Sequence, residues 1–405
     1  MKAGFSLVYV RQKLYDFGKV AKRLKAILPI LALTLIPTFL IWIPFILRLK
    51  SFWTIPLSQS GMGTIVANYD GPLYLVIAKS FYNMDFIQAN YSFPLPVEYY
   101  AAHFPLLPLL IRIFSFVAGY PYSMLFVTLA SSFLAIYFFN IFIKEFVEEK
   151  SALLATFAFS IFPARWLITR SVGSAEPLFI AGTLASVYYF RRKKYWKAGI
   201  WGAVAALTKP PGILLFVAYA FAIATRQMKK LFTGTFKKWV GSLRFNKVYP
   251  ILLIPLSLIV VFVIYSFTFN DFFAYFKSGD NIHLFFPPFQ IFNYSQPWVG
   301  TFWLEEVLFV YVFILLGLIK LIQRKETTLA WFVGIFFLSI IFISHRDIVR
   351  YALPILPFLY AAYAETLTKN EFKILIIFLI IPIYLFSLAY ISQNVMPISN
   401  WAPLL

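Results

Sequence analysis

The chain has 405 residues, 61% of them hydrophobic and only 13% charged, with 36 Lys and Arg against 16 Asp and Glu. A mean hydropathy of +0.78, carried by continuous rather than alternating apolar runs, excludes a soluble domain and disfavours a β-barrel. The absence of cysteine excludes disulfides and thiolate chemistry, and the net charge of +20 reads as loop cations held on the cytoplasmic side, not as a nucleic-acid surface.

The expected fold is all-α, one polytopic transmembrane domain over 1–405, because only helices satisfy their backbone within lipid in this pattern. Residues 1–25 carry seven Lys and Arg against one Asp and read as a basic cytoplasmic segment before an uncleaved first span near 27–47. A first outer loop at 48–121 follows, with Asp70, Asp85, Glu98 and His103. Within it, Phe104 to Val117 is apolar but short, and Arg112, Pro105 and Pro108 make it an interfacial helix. Later spans fall near 122–143, 151–168, 175–190, 197–209, 211–225, 248–269, 302–319, 327–343, 351–367 and 373–391, for about 11 in total.

This parity puts Arg191-Arg192-Lys193-Lys194, the basic 226–247 segment, Lys320, Arg324, Lys325, Lys369 and Lys373 inside. A full span at 104–117 would put Arg191 to Lys194 outside, against the charge rule. The outer face then gathers Asp70, His103, Arg165, Arg170, Glu176, Lys209, a loop at 270–300 and the stretch Ser344 to Arg350. The loop's Phe285-Phe286-Pro287-Pro288-Phe289 run reads either as a cover over a site or as an ordinary aromatic belt.

Cations at outer helix ends need a reason, since the topology rule does not supply one. Arg170, Lys209, Arg346 and Arg350 are the clearest, and a phosphate is a natural partner for them. Each taken alone is as readily a structural ion-pair partner, with Glu176 and Asp347 as the available acids. Asp70 alone reads as a turn residue before Gly71-Pro72, and Glu176 before Pro177 as a helix-end charge. Together they suit transfer from a lipid-phosphate donor. A carboxylate removes the acceptor proton, cations stabilise the departing phosphate, and a groove in the membrane aligns the lipid tail. One base suffices, unlike the paired carboxylates of a hydrolase.

Asn68-Tyr69-Asp70-Gly71-Pro72-Leu73-Tyr74-Leu75-Val76-Ile77-Ala78 resembles the "WDG..Y..IA" segment of GPI mannosyltransferase II (PIG-V-like) proteins of the GT-C superfamily. Ala102 to Leu109 resembles their "FFPLYP" element, Ser174 to Phe179 their "SESLF", Ala206 to Gly212 their "ALTR..G", and His345 to Tyr351 with Pro354 and Pro357 their "RY.L..FP". The resemblance runs in order over 65–360, with Tyr69 in place of Trp and Lys209 in place of Arg. It implies a GT-C-type fold and a donor that is a polyprenyl- or dolichyl-phosphate sugar, mannose in that family. It also implies Asp70 as general base with inversion at the anomeric carbon. The acceptor is a glycan, glycolipid or protein.

Donor phosphate contacts are expected from Arg170, Lys209, Arg346, Arg350 and His103, with Glu176, His345, Tyr69 and Tyr74 as secondary site residues. No metal motif or certain cofactor is expected, although Asp70 with Glu176 could hold a hard divalent cation. The bilayer is the expected surroundings, with the site on the extracytoplasmic or lumenal face of a prokaryotic plasma membrane in preference to the endoplasmic reticulum. The competing functions are a flippase or transporter of lipid-linked saccharide, disfavoured by the lack of an internal repeat, and a non-catalytic assembly subunit.

Overall fold

The computed structural model describes residues 25, 27–93, 96–232, 245–279, 284–293, 295 and 304–405. Most of the basic 1–25 segment, half of the 226–247 segment and much of the 270–300 loop therefore lie outside the described residues. The chain is helical, with one two-stranded antiparallel sheet, β1 (Ser51–Phe52) and β2 (Ile55–Pro56), after the first helix α1 (Ile27–Ile46).

Helices Ile27–Ile46, Leu106–Ile143, Tyr249–Thr268 and Asn370–Gln393 are each long and apolar enough to cross a membrane. Several of the other segments read as spans are shorter or broken, and the breaks have sequence causes. The interfacial helix and the following span are one run, α5 (Leu106–Ile143), divided at Gly119, whose φ of 72° and ψ of 167° are outside the helical region. Phe162-Pro163 separates α6 (Glu149–Ile161) from α7 (Ala164–Ser171), and the pair bends by 69°. Pro210-Pro211 ends α9 (Tyr195–Thr208) before α10 (Ile213–Phe232), leaving Lys209 extended, as a residue before proline should be.

Two apolar cores form. One joins the C-terminal half of α5 with α6, α8 (Glu176–Arg191), α9, α10, α12 (Glu305–Gln323), α13 (Thr327–Ile340) and α15 (Leu356–Ala362). The second joins α3 (Gly71–Ser80), α4 (Met84–Asn90), the start of α5, α7, α11 (Leu253–Thr268) and the C-terminal half of α16 (Asn370–Gln393). The start of α8 lies at their junction: Ala175 and Leu178 belong to the second core and Phe179 onward to the first. A short helix, α14 (Ile348–Ala352), follows the His345-Arg346-Asp347 turn.

Candidate active site

Glu176 opens α8 and is the deepest charge of the site, 2% exposed. A carboxylate buried so fully requires cations, and two reach the same oxygen. Lys209 Nζ lies 2.7 Å from its Oε1, and Arg350 Nε donates to Oε1 at 2.7 Å. The other oxygen, Oε2, is buried without a hydrogen-bond partner among the described residues. Lys209 comes from the α9–α10 break and Arg350 from the first turns of α14, so three separate elements converge here.

Arg350 also reaches upward. Its Nη2 donates to Asp70 Oδ2 at 2.9 Å, and its guanidinium carbon lies 4.2 Å from the centre of the Tyr69 ring. Asp70 precedes α3 as its N-cap residue, yet its side chain makes no capping bond. The carboxylate is thus not spent on the helix end, and it is 28% exposed.

The loop carrying Asp70 is held on several sides. Tyr69 has φ of 49°, a left-handed backbone that costs a residue with a Cβ. Gly71 packs directly beneath the Val66 carbonyl, with the Gly173 carbonyl 3.3 Å from where a Cβ would stand. Fully buried Asn68 donates to Ile391 O at 2.8 Å and accepts from Asn394 Nδ2 at 3.1 Å, and the Met396 N–H donates to Ala67 O at 2.8 Å. The end of α16 is therefore stitched to the Asp70 loop.

His103 closes another side. Its Nε2 is 3.9 Å from Asp70 Oδ1, too far for a direct hydrogen bond but close enough for both to contact one hydroxyl. The Tyr74 and Tyr99 rings flank it at 5.1 and 5.4 Å. Its Nδ1 is buried with no hydrogen-bond partner among the described residues. Burial alone would raise the Asp70 carboxyl. The Arg350 guanidinium and His103 outweigh it and hold the group well below the usual carboxylate range.

The remaining expected residues separate. His345 accepts the Asp347 N–H through Nδ1 at 3.0 Å, and burial pushes its imidazole down against the opposing field of Asp347. Arg346 is exposed, with no carboxylate partner among the described residues. Arg170 stands elsewhere. Its Nε donates to Ser160 O, its Nη1 to Thr34 O and Thr38 Oγ1, and its Nη2 to Leu33 O and Thr34 O, all at 2.9–3.3 Å. The guanidinium makes five hydrogen bonds to four acceptors, Thr34 O accepting twice, so no N–H is left for a phosphate. This cation ties α7 to α1 and α6, a burial that the rule about outer-face cations could not foresee.

Four residues at the site carry no site role in the sequence reading: Arg165, Asp347, Tyr390 and Asn68. Arg165 Nε is 3.0 Å from Asp347 Oδ1, and its guanidinium lies 3.8 Å from the centre of the Tyr390 ring. Arg165 and Asp347 were visible as outer-face charges. Tyr390 sits in an apolar helix that offered no signal. The described part of the 270–300 loop pairs with the approach to this turn, since the Phe285 and Phe289 N–H groups donate to Phe342 O and Ile341 O, both at 2.8 Å. Among the described residues, no group of three or more His, Asp or Glu is arranged to hold a metal ion.

Comparison with known proteins finds no matching family model and no matching curated protein. Solved structures do match. The crystal structure of the Archaeoglobus fulgidus oligosaccharyltransferase tethered to an acceptor peptide aligns with a TM-score of 0.51 at 15% identity, covering 92% of this chain and 56% of that one. Its apo form gives a TM-score of 0.51 at 15% identity, over 92% and 57%. ArnT from Cupriavidus metallidurans bound to undecaprenyl phosphate gives 0.50 at 12% identity, over 82% and 72%. The chain spans little more than half the length of the oligosaccharyltransferase. At these identities the likeness establishes architecture alone: the chain is an integral, multi-pass membrane protein with the helical fold seen in these two solved proteins.

Proposed function

We propose that this protein is a membrane glycosyltransferase that moves a sugar from a polyprenyl-phosphate donor to an acceptor hydroxyl on the extracytoplasmic face. The observation that carries the reading is one connected cluster. An uncapped, partly exposed carboxylate, Asp70, shares Arg350 with buried Glu176, and Lys209 completes the set. The bound lipid phosphate in the ArnT structure is consistent with a donor of that class. The ordered motifs of PIG-V-like proteins favour mannose.

In the reaction, an Asp70 carboxylate oxygen accepts the acceptor's hydroxyl proton as that oxygen attacks the anomeric carbon. The bond from anomeric carbon to phosphate oxygen breaks, and its electron pair leaves on the lipid phosphate. Direct displacement inverts the anomeric centre. Arg350 and Lys209 stabilise the charge growing on the leaving phosphate, while exposed Arg346 meets the phosphate at the mouth. Paired with Arg350, Asp70 is a weak base. When the donor phosphate recruits that guanidinium, the carboxylate regains basicity, so base strength is coupled to donor occupancy. His103 and Tyr74 form the wall against which the acceptor hydroxyl is oriented.

The test is an assay of purified protein with radiolabelled polyprenyl-phosphate mannose. Label leaving the lipid for a water-soluble or glycolipid acceptor supports transfer. Intact donor crossing a liposome membrane without bond cleavage supports a transporter instead.

A further inference from the structure

At the other end of α8, about 24 Å from Glu176 by helix rise, lies a second polar feature that the proposed reaction does not use. A cavity of about 800 Å³ is lined by Lys193, Lys194, Tyr195, Trp196, Lys197, Lys247, Val248 and Tyr249. Four of its walls are lysines and none is a carboxylate.

The neighbouring cations show the contrast. Arg191 is paired with Glu145 and Glu326, and Arg192 with Glu145. Lys193, Lys194, Lys197 and Lys247 have no carboxylate partner among the described residues. Residues 227–250 contain no Asp or Glu to supply one. Four exposed lysines line one cavity without an acid between them, a field that attracts an anion.

The convergence is built into the backbone. Lys193 has φ of 57° in the turn that closes α8, a position where glycine is usual. Gly199 packs directly against the Pro250 carbonyl, and a Cβ on Gly202 would stand 2.5 Å from Ile254 Cδ1. Small residues thus lock the start of α9 to Tyr249–Leu252 and bring Lys247 beside the Lys193 turn.

The mouth is amphipathic. Trp196 and Tyr249, 55% and 50% exposed, meet edge to face at 5.5 Å. Beyond them the exposed side chains of Ile200, Leu252 and Leu256 run along apolar helices. Cations, then aromatic rims, then lipid-facing aliphatics match a phospholipid from headgroup to tail. A soluble phosphate would use only the first of these.

We propose that this cavity binds the phosphate headgroup of an anionic phospholipid in the leaflet facing this end of the protein. The experiment is native mass spectrometry of the purified full chain in detergent, titrated with phosphatidylglycerol, phosphatidylcholine or sn-glycerol 3-phosphate. Phosphatidylglycerol is expected to bind at least about tenfold more tightly than phosphatidylcholine, and Lys193→Gln with Lys247→Gln to weaken it about thirtyfold. Lys144→Gln with Lys150→Gln, which leaves the cavity intact, keeps wild-type affinity. Equal binding of the two lipids, or undiminished binding by a monodisperse Lys193→Gln/Lys247→Gln variant, overturns the proposal. Displacement of the lipid by sn-glycerol 3-phosphate also overturns it, in favour of a soluble phosphate ligand.

Discussion

Arg350 donates to Asp70 at 2.9 Å while its Nε donates to Glu176 at 2.7 Å, so a single guanidinium spans the partly exposed carboxylate and the buried one. Residues 280 positions apart in the chain meet through this contact. The planar fork makes it possible, and an ammonium could not reach both acids in this geometry. Arg350→Lys should therefore raise the donor KM with a smaller fall in kcat. Arg350→Ala should also lose about 3–5 kcal/mol of stability by leaving Glu176 short of a partner. Steady-state kinetics and thermal melts of both variants check the two halves of this prediction separately.

Glu176 holds Arg350 and Lys209, so in the proposed reaction it competes with the lipid phosphate for both cations. Glu176→Gln keeps the shape and removes the competing charge. It should bind polyprenyl phosphate about tenfold more tightly and turn over more slowly, because product release is hindered. Product-inhibition constants measured for wild type and variant provide the check. Weaker product binding by the variant would contradict the competition.

The pH dependence follows from Asp70. Its folded pKa is depressed, so the stabilisation from its ion pair is present above the unfolded value of about 3.9 and is lost as pH falls through the lower folded value. In the free enzyme Asp70 is ionised throughout the neutral range, and kcat/KM should show no acid limb from this group between about pH 4 and 6. Arg350→Gln removes the main opposing charge and leaves burial unbalanced. An acid limb should then enter that window, as read from the kcat/KM profile.

Arg170 and Gly71 serve as contrasting controls. Arg170→Met strands the Leu33, Thr34 and Ser160 carbonyls and should cost about 3 kcal/mol or more, while Arg170→Lys lowers the melting temperature and leaves donor KM unchanged in the folded fraction. Gly71→Ala forces a Cβ onto the Val66 carbonyl and should displace Asp70, at a cost of about 1–3 kcal/mol. Activity should fall by more than the folded fraction does. Melting curves paired with rates per folded molecule separate the two effects.

The helical membrane architecture was legible because long apolar runs with cations in alternate loops admit few alternatives. The breaks at Gly119, Pro163 and Pro210-Pro211 were also written as backbone chemistry, though they shorten or divide segments that hydropathy alone renders as whole spans. Among candidate site residues, Asp70, Lys209, Arg350, Glu176, His103 and Tyr69 come together in space, and all lie in or beside the motif stretches. Arg170 does not join them. Hydropathy cannot distinguish a cation facing a cavity from one that donates to four carbonyl and hydroxyl acceptors inside a helix packing. Asn68 and Tyr390 were invisible for a different reason: an Asn near a turn and a Tyr in an apolar helix are common, and only tertiary contact gives them a role.

The central claim rests on the Asp70 carboxylate. Asp70→Asn preserves size and the contact with Arg350 through its amide oxygen, so the variant should fold and still bind polyprenyl phosphate. The direct measurement is the single-turnover rate of sugar transfer from a polyprenyl-phosphate donor by purified wild type and Asp70→Asn. The base mechanism predicts a loss of about 10²–10⁴-fold with donor binding retained. A variant that transfers sugar at near the wild-type rate would contradict it.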